Sequence, residues 1–378
     1  MKLGNICSIT GGYAFDSRKM KSKGEYQIIK MGNLYNGVLD LTRNPSFIDN
    51  PTKKELEYLI HKNDILITLT GTVNKKDYGY TVQLNNPNNL LLNQRCALIK
   101  PLNINEKYLF YLLNSNNFFK QFYASSTGGT GNQTNVSIND MLNFNMYIAN
   151  EKNQIIISEF LNKIDQRIET QIKIIEDLVL QKKYIISSLL TPFQDKKKIL
   201  LKDILFDYNV KTTSNNEYPV LSSTASGIYL QSEYFNNKEA SSDNTAGYKI
   251  IPRGYCTYRS MSDTGLFTFN IQNLVERGIV SPAYPVFSSN EYINEFIILY
   301  LNNSTDIKKQ ILELKSGGTR FALSFSTLCT LKIPKLEKEK QLSLVKTVTA
   351  FERKIENEEI ILNKLHQQKK YLLNNMFI

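Results

Sequence analysis

The chain has 378 residues, 42% of them hydrophobic, which suits two or three folded domains rather than a disordered or fibrous protein. Its 46 Lys and Arg against 35 Asp and Glu leave a net charge of +11, a balance that favours a polyanionic partner, DNA or RNA. Four scattered cysteines without a CxxC pair speak against a zinc knuckle or a disulfide framework, and no run of about 18 apolar residues exists to span a membrane. The cysteines and the lack of an apolar leader at Met1-Lys2-Leu3-Gly4-Asn5-Ile6 lead to an expected cytoplasmic location.

Residues 1–150 read as a mixed block of short strands and turns. Tyr26–Lys30 and Asp64–Leu69 are strand-like; Asn36-Gly37, Gly71, Gly79 and Asn85-Asn86-Pro87 mark turns. Glu106–Phe122 is predicted helical, with Leu109, Leu112, Leu113 and Phe119 on one side. A first long helix occupies 151–190 and is stopped by Pro192; Lys196-Lys197-Lys198 opens a linker. The block 196–334 repeats the first in outline. Ile104-Asn105-Glu106 returns as Ile293-Asn294-Glu295, and Gly128-Gly129-Thr130 as Gly317-Gly318-Thr319. A second long helix fills 335–378. The excess base lies mostly in the two non-helical blocks, +6 in residues 1–150 and +4 in 196–336.

The long helices carry the clearest signal. Gln181-Lys182-Lys183-Tyr184 recurs 187 residues later as Gln368-Lys369-Lys370-Tyr371. At the same offset Ile157, Leu161, Ile164, Ile168, Ile175, Leu178, Ile185 and Leu189 fall on Leu344, Val348, Phe351, Ile355, Leu362, Leu365, Leu372 and Met376. These positions alternate by 4 and 3, the seam of a coiled coil. Two polar interruptions repeat too: Gln171 matches Glu358, and Lys182 matches Lys369. A duplicated protein follows, with pseudo-two-fold symmetry and seams that pair. About 40 residues of helix span about 60 Å, a spacer of useful length between two basic globules.

Catalytic constellations are missing. His61 and His366 are too few for most metal or Ser-His-Asp sites. Thr127-Gly128-Gly129-Thr130-Gly131 lacks the Gly-Lys-Ser/Thr ending of a phosphate loop; a turn, or a close backbone approach to DNA, fits it better. None of Asn44-Pro45, Asn50-Pro51 and Asn86-Pro87 is followed by the second proline of an adenine methyltransferase motif. The chain reads as a binder of DNA rather than a catalyst.

Together these features resemble the specificity subunit of a type I restriction–modification system. The resemblance covers essentially the whole chain. It is carried by Asn63–Thr68, Leu92–Ala97, Ser125–Gln133 and Glu151–Gln154 in the first half, and by Arg253–Arg259, Ser281–Tyr284, Ile333-Pro334 and Lys340-Gln341 in the second. The first helix entry departs from the usual pattern by lacking its proline. The resemblance implies an α+β fold: two α/β target-recognition domains (1–150 and 196–334) separated by two long helices (151–195 and 335–378) that pair as an antiparallel coiled coil. It implies that each recognition domain reads half of a bipartite target in double-stranded DNA while the coiled coil sets the gap. Two methyltransferase subunits would dock on the helices, with S-adenosylmethionine held by them and no cofactor or metal in this chain. Motor-nuclease subunits would complete the complex. Arg167, Glu169, Lys173, Arg353 and Glu356, on the helix faces away from the seam, are the expected docking residues; an ordinary solvated face is the competing reading for any one of them.

The candidate DNA contacts are loop residues. Arg18, Lys19, Lys21 and Lys23 form a cluster suited to phosphates. Lys75 and Lys76 sit in a glycine-bounded loop, with Arg259 and Arg320 in comparable loops of the second half. Gln133, Asn135 and Tyr258 join them, since Arg and Lys read guanine and Asn and Gln read adenine. A fused restriction–methylation fragment and a coiled-coil adaptor or scaffold without DNA readout are the rival functions.

Overall fold

A computed structural model describes residues 1–35, 37–128, 132–193, 196–234, 244–314 and 321–377. The chain forms two compact units: unit 1 holds residues 1–172 and 360–378, unit 2 holds 173–359. Each long helix therefore contributes one half to each unit.

Unit 1 is built on an antiparallel four-stranded sheet of β1 (Cys7–Gly11), β2 (Ile65–Thr68), β3 (Thr81–Gln83) and β4 (Cys96–Pro101), in the order β1-β4-β2-β3. Side chains alternate between the two faces of a strand. Ile65, Ile67, Ala97 and Ile99 enter a core with Leu109, Leu112, Leu113, Phe118 and Phe122. Leu66, Val82 and Cys96 enter a second core with Ile29, Leu34, Leu90 and Leu92. Both sheet faces are covered, so β2 reads as an unbroken apolar run instead of an alternation.

The stretch predicted as one helix, Glu106–Phe122, is two: α1 (Glu106–Leu112) and α2 (Asn116–Ala124). The break has a local cause. The Ser115 hydroxyl accepts from the Phe118 N–H at 3.3 Å and caps α2, as Asn105 caps α1 by accepting from Tyr108 N–H at 2.9 Å.

Unit 2 repeats the scaffold. The strands β5 (Leu205–Asp207), β6 (Cys256–Tyr258), β7 (Phe269–Ile271) and β8 (Val286–Ser289) run in the order β5-β8-β6-β7, the connectivity of unit 1 strand for strand. α3 (Asn294–Asn303) and α4 (Thr305–Glu313) follow, as α1 and α2 do. Phe296, Ile297, Tyr300 and Leu301 of α3 are buried with Phe269, Phe287 and Leu328.

The long helices run Glu151–Leu190 and Lys338–Asn375. All sixteen expected seam residues are buried or half-buried. In unit 1, Leu161, Ile164 and Ile168 share a core with Leu365, Leu362 and Leu372. In unit 2, Ile186 and Leu190 pack with Leu344 and Val348. At the end of the first helix Ile186 and Leu190 are more deeply buried than the expected Ile185 and Leu189. A straight helix drifts by about 20° per heptad against a 3.5-residue repeat, which moves the buried position on by one.

Among the described residues an ion pair lies in the seam of each unit. Lys369 pairs with Asp165 in unit 1, and Lys182 with Glu352 at 2.8 Å in unit 2. The two lysines are 187 residues apart, and so are the two acids. Within each unit the helix halves therefore run antiparallel, because later residues of one meet earlier residues of the other.

The two helix entries repeat one bonding pattern. Gln154 Oε1 accepts from Asn105 N–H at 3.0 Å while its amide donates to Ala149 O at 2.8 Å. Gln341, 187 residues on, accepts from Ile293 N–H and donates to Leu336 O, both at 2.9 Å. Both glutamines are buried.

Candidate nucleic-acid interface

The first basic cluster sits on a 3-10 turn, Ser17–Lys19, held by Asp16, which accepts from Arg18 N–H at 3.0 Å. The Arg18 guanidinium also folds back on Asp16 at 2.9 Å, and Lys21 pairs with Asp49 at 2.8 Å. These bonds hold both carboxyls below the usual carboxylate range: Arg18 acts on Asp16 through its side chain first, Lys21 on Asp49. Arg18, Lys19, Lys21 and Lys23 are all exposed. A phosphate arriving there would have to displace a local carboxylate from Arg18 or Lys21, whereas Lys19 and Lys23 have no such ion pair among the described residues.

A second group gathers at a small three-stranded sheet. Strand Gln133–Asn135 lies between Thr70–Thr72 and Thr127–Gly128. Gln133 and Asn135 are exposed on either side of buried Thr134. Lys75 and Lys76 project from the turn after Thr72, where Val73 N–H reaches Asn132 O at 3.0 Å. That turn is pinned by Asp77, which accepts from the Thr72 N–H at 2.8 Å and the Thr72 hydroxyl at 2.7 Å. The residue between them, Asn74, takes a left-handed φ of 62°. Lys76 Nζ rests 5.3 Å from the centroid of the Tyr123 ring. Two cations and two amides from distant parts of the sequence are thus carried by one small sheet and its turn, the mixture that phosphate positioning and base reading call for.

Hydroxyls that sequence reasoning missed underpin this edge. Tyr78 Oη donates to Ser126 Oγ at 2.7 Å, Ser126 bonds Thr134, and Thr134 Oγ1 donates to Thr127 O at 3.0 Å. Tyr123 Oη donates to Tyr78 O at 2.9 Å. Gly71 is required beside them: a Cβ there would lie 2.2 Å from the Tyr78 ring. Asn135 Oδ1 accepts from the Thr70 hydroxyl at 3.0 Å, which fixes its rotamer.

In unit 2 the matching element pairs Met261–Ser262 with Phe321–Ala322. Arg259 is exposed at the end of β6, where it leads into this pair. Tyr258 is a correction. It is fully buried, with its ring 4.8 Å from Phe269 and its hydroxyl donating to Leu323 O at 3.0 Å. Its position on the helix-covered face of β6 puts it in the core, out of reach of DNA. Burial also pushes its phenol well above the usual tyrosine value, with Cys329 and Asp207 adding to the shift. Arg320 and residues 129–131 and 315–319 of the two glycine loops lie outside the described residues.

Arg167, Glu169, Lys173, Arg353 and Glu356 are all exposed, as a docking face requires. Within unit 1, Arg167 lines a shallow groove with Lys163, Gln166, Thr170, Ile361 and Leu365. Burial pushes the Cys7 and Cys96 thiols up to about 12, so neither is a thiolate ligand or nucleophile near neutral pH. No helix among the described residues is long and apolar enough to cross a membrane.

Residues 1–178 match the family model of the type I restriction modification DNA specificity domain. The fold of the whole chain is similar to solved structures of the same kind. A type I restriction–modification system S subunit from M. genitalium superimposes with a TM-score of 0.52 at 16% identity, covering 100% of this chain and 95% of that one. A chain from a structure of complex assembly and conformational transition of the type I R-M system gives a TM-score of 0.59 at 14% identity, covering 99% and 95%. The specificity-domain match spans the Lys75, Lys76, Gln133 and Asn135 edge; unit 2 repeats that scaffold with its own loops.

Proposed function

We propose that the chain is the DNA sequence-specificity subunit of a type I restriction–modification complex, and that each unit reads one half of a bipartite target. The observation that carries this reading is one sheet connectivity occurring twice, each time beside a smaller strand pairing built from different residues. A duplicated frame serves two related tasks; divergent edges serve two different half-sites. Lys75, Lys76, Gln133 and Asn135 contact DNA in the first half, aided by phosphate contacts from Arg18, Lys19, Lys21 and Lys23. Arg259 serves the second half, and Arg320 joins it.

On this reading the chain recognises and does not catalyse. Two methyltransferase subunits dock on the long helices and bring S-adenosylmethionine, motor-nuclease subunits complete the complex, and the assembly works in the cytoplasm. The helices set the gap between half-sites.

The test is the methylome of a host carrying the chain and its methyltransferase. A two-part motif with a constant gap is expected, and it disappears when this chain is deleted. A contiguous motif, or methylation unaffected by the deletion, overturns the reading. Purified chain given duplex DNA and labelled S-adenosylmethionine should transfer no label.

A further inference from the structure

Beside each main sheet lies a small strand pairing, and one backbone bond fixes the same register in both. Val136 N–H donates to Leu69 O at 3.1 Å in unit 1, and Leu323 N–H to Ser260 O at 2.8 Å in unit 2. The next residues, Ser137 and Ser324, each cap a short helix by accepting from the Asp140 and Thr327 N–H groups. One step inward from those bonds, Thr70 faces Asn135 in unit 1 and Met261 faces Ala322 in unit 2. The two pairs therefore occupy one place in two copies of the same frame.

In unit 1 that place is polar: Asn135 is exposed and takes the Thr70 hydroxyl on its Oδ1. In unit 2 it is apolar: Met261 is 44% exposed and Ala322 is exposed too. Residues directly opposite in an antiparallel pair share a face, so Met261 and Ala322 form one apolar spot. The turn that follows changes in the same sense. Unit 1 places Lys75 and Lys76 there, whereas unit 2 places Leu266, 67% exposed. Ser262 Oγ braces this turn by accepting from the N–H groups of Thr264 at 3.3 Å and Gly265 at 3.1 Å. Gly265 has a left-handed φ of 78°, and a Cβ there would lie 2.9 Å from the ring of Phe321. The turn is thus seated on the strand that carries Ala322. A lone exposed leucine needs no explanation, but apolar residues standing where the other copy carries an amide and two lysines do.

Base edges in the major groove offer two chemistries. Amides and cations pair with the acceptors and donors of purines, while the 5-methyl group of thymine takes an apolar contact. We propose that unit 2 reads thymine in its half-site through the 5-methyl group, with Met261, Ala322 and Leu266 as the contacts. Unit 1 reads its own half-site with amides and cations at the matching positions. The proposal rests on the specificity-subunit reading and names the base class that one half of the target must contain. Arg259, exposed two residues before Met261, supplies a cation beside the apolar spot. The methyl contacts are uncharged, so they add discrimination without adding salt dependence.

The full chain, in complex with its methyltransferase, is titrated with a duplex carrying the motif that the complex methylates. The duplex is unmodified at cytosine, so thymine is its only source of a 5-methyl group. Thymines are replaced by deoxyuridine, which lacks only that methyl, in one half-site at a time. Replacement in one half-site should weaken binding about fourfold for each methyl contacted, the value of one buried methyl. In the Met261→Ala, Leu266→Ala double variant that sensitivity should disappear, and in the Lys75→Ala, Lys76→Ala double variant it should persist in full. Thermal unfolding of the apolar double variant should match the parent, since both side chains are exposed. Parental binding that ignores deoxyuridine in both half-sites overturns the thymine contact, and so does a sensitivity that survives loss of Met261 and Leu266. Either result leaves the specificity reading standing. A complex that methylates no two-part motif overturns that reading itself.

Discussion

Ile67 of β2 and Tyr258 of β6 occupy the same register in two sheets of the same connectivity, and they fill it differently. Unit 1 places Ile67 there, buried in a core with Leu109 and Phe118. Unit 2 ends β6 on Tyr258, whose ring fills the core and whose hydroxyl holds Leu323. The seam shows the same contrast. Asp165 of unit 1 accepts from Tyr111 at 2.8 Å and faces Lys369, with both ion-pair side chains about three-quarters covered. Its counterpart Glu352 in unit 2 is 52% exposed where it meets Lys182. Backbone connectivity and helix register were retained in both units, whereas the side chains that fill and brace each copy were free to change. That separation suits the proposed reading, in which one frame serves two different half-sites.

Substitutions can sharpen or break this comparison, and the largest effect is expected at Tyr258. Tyr258→Ala removes a fully buried ring and should lower unfolding free energy by about 3–5 kcal/mol, whereas Ile67→Val at the matching position, which removes one methylene, should cost about 0.5–1.5 kcal/mol. Denaturant titration that finds the two equal would remove the distinction between the fillings. Tyr258→Phe should cost about 1 kcal/mol and leave DNA affinity unchanged, as expected of a core residue. The retained frame predicts the opposite pattern at the helix entries. Gln154→Ala and Gln341→Ala should be alike, about 1–3 kcal/mol each, because each strands the same two buried backbone groups; a large inequality would mean that the entries are not equivalent.

Smaller effects follow at the ion pairs. A double-mutant cycle on Asp165 and Lys369 should give a coupling of about 1 kcal/mol, and one on Glu352 and Lys182 about half of that or less, owing to its exposure. At the sheet edge, removing Lys75 and Lys76 together should lower the slope of log affinity against log salt by about 2, with stability unaltered. The smallest effect is electrostatic. Asp49 has a folded value depressed chiefly by its hydrogen bond from Lys21, then by Glu25 N–H. Its stabilising contribution is present above the ordinary carboxylate range and fades as pH falls through the depressed value, which frees Lys21. Asp49→Asn should therefore raise the salt slope of DNA binding by up to about 1 at neutral pH. An unchanged slope would show that Lys21 does not face the phosphates.

The helical frame was legible because a seam repeats a simple period and the duplication repeats it again; all sixteen seam positions are covered. The cause of its polar interruptions was not. Lys182 could be seen to recur, yet Asp165 and Glu352 look like solvated acids until the antiparallel register brings each to a lysine. Ser115, an ordinary cap signal, marked the break between α1 and α2, but the apolar pattern continues through it and reads as one helix. Tyr258 was misread because it lies between a strand and Arg259, and local sequence does not say which sheet face a helix will cover. The edge formed by Lys75, Lys76, Gln133 and Asn135 joins residues about 60 positions apart. Only strand pairing could assemble it, although each residue could be named from its loop.

The central claim is that one retained frame carries two readers and that its helices fix the distance between the half-sites. The most direct measurement is the methylated motif of a variant lacking one matched heptad from each long helix, for example 169–175 with 356–362. The account predicts an altered gap between two unchanged half-sites. Altered half-site bases with an unchanged gap would contradict it.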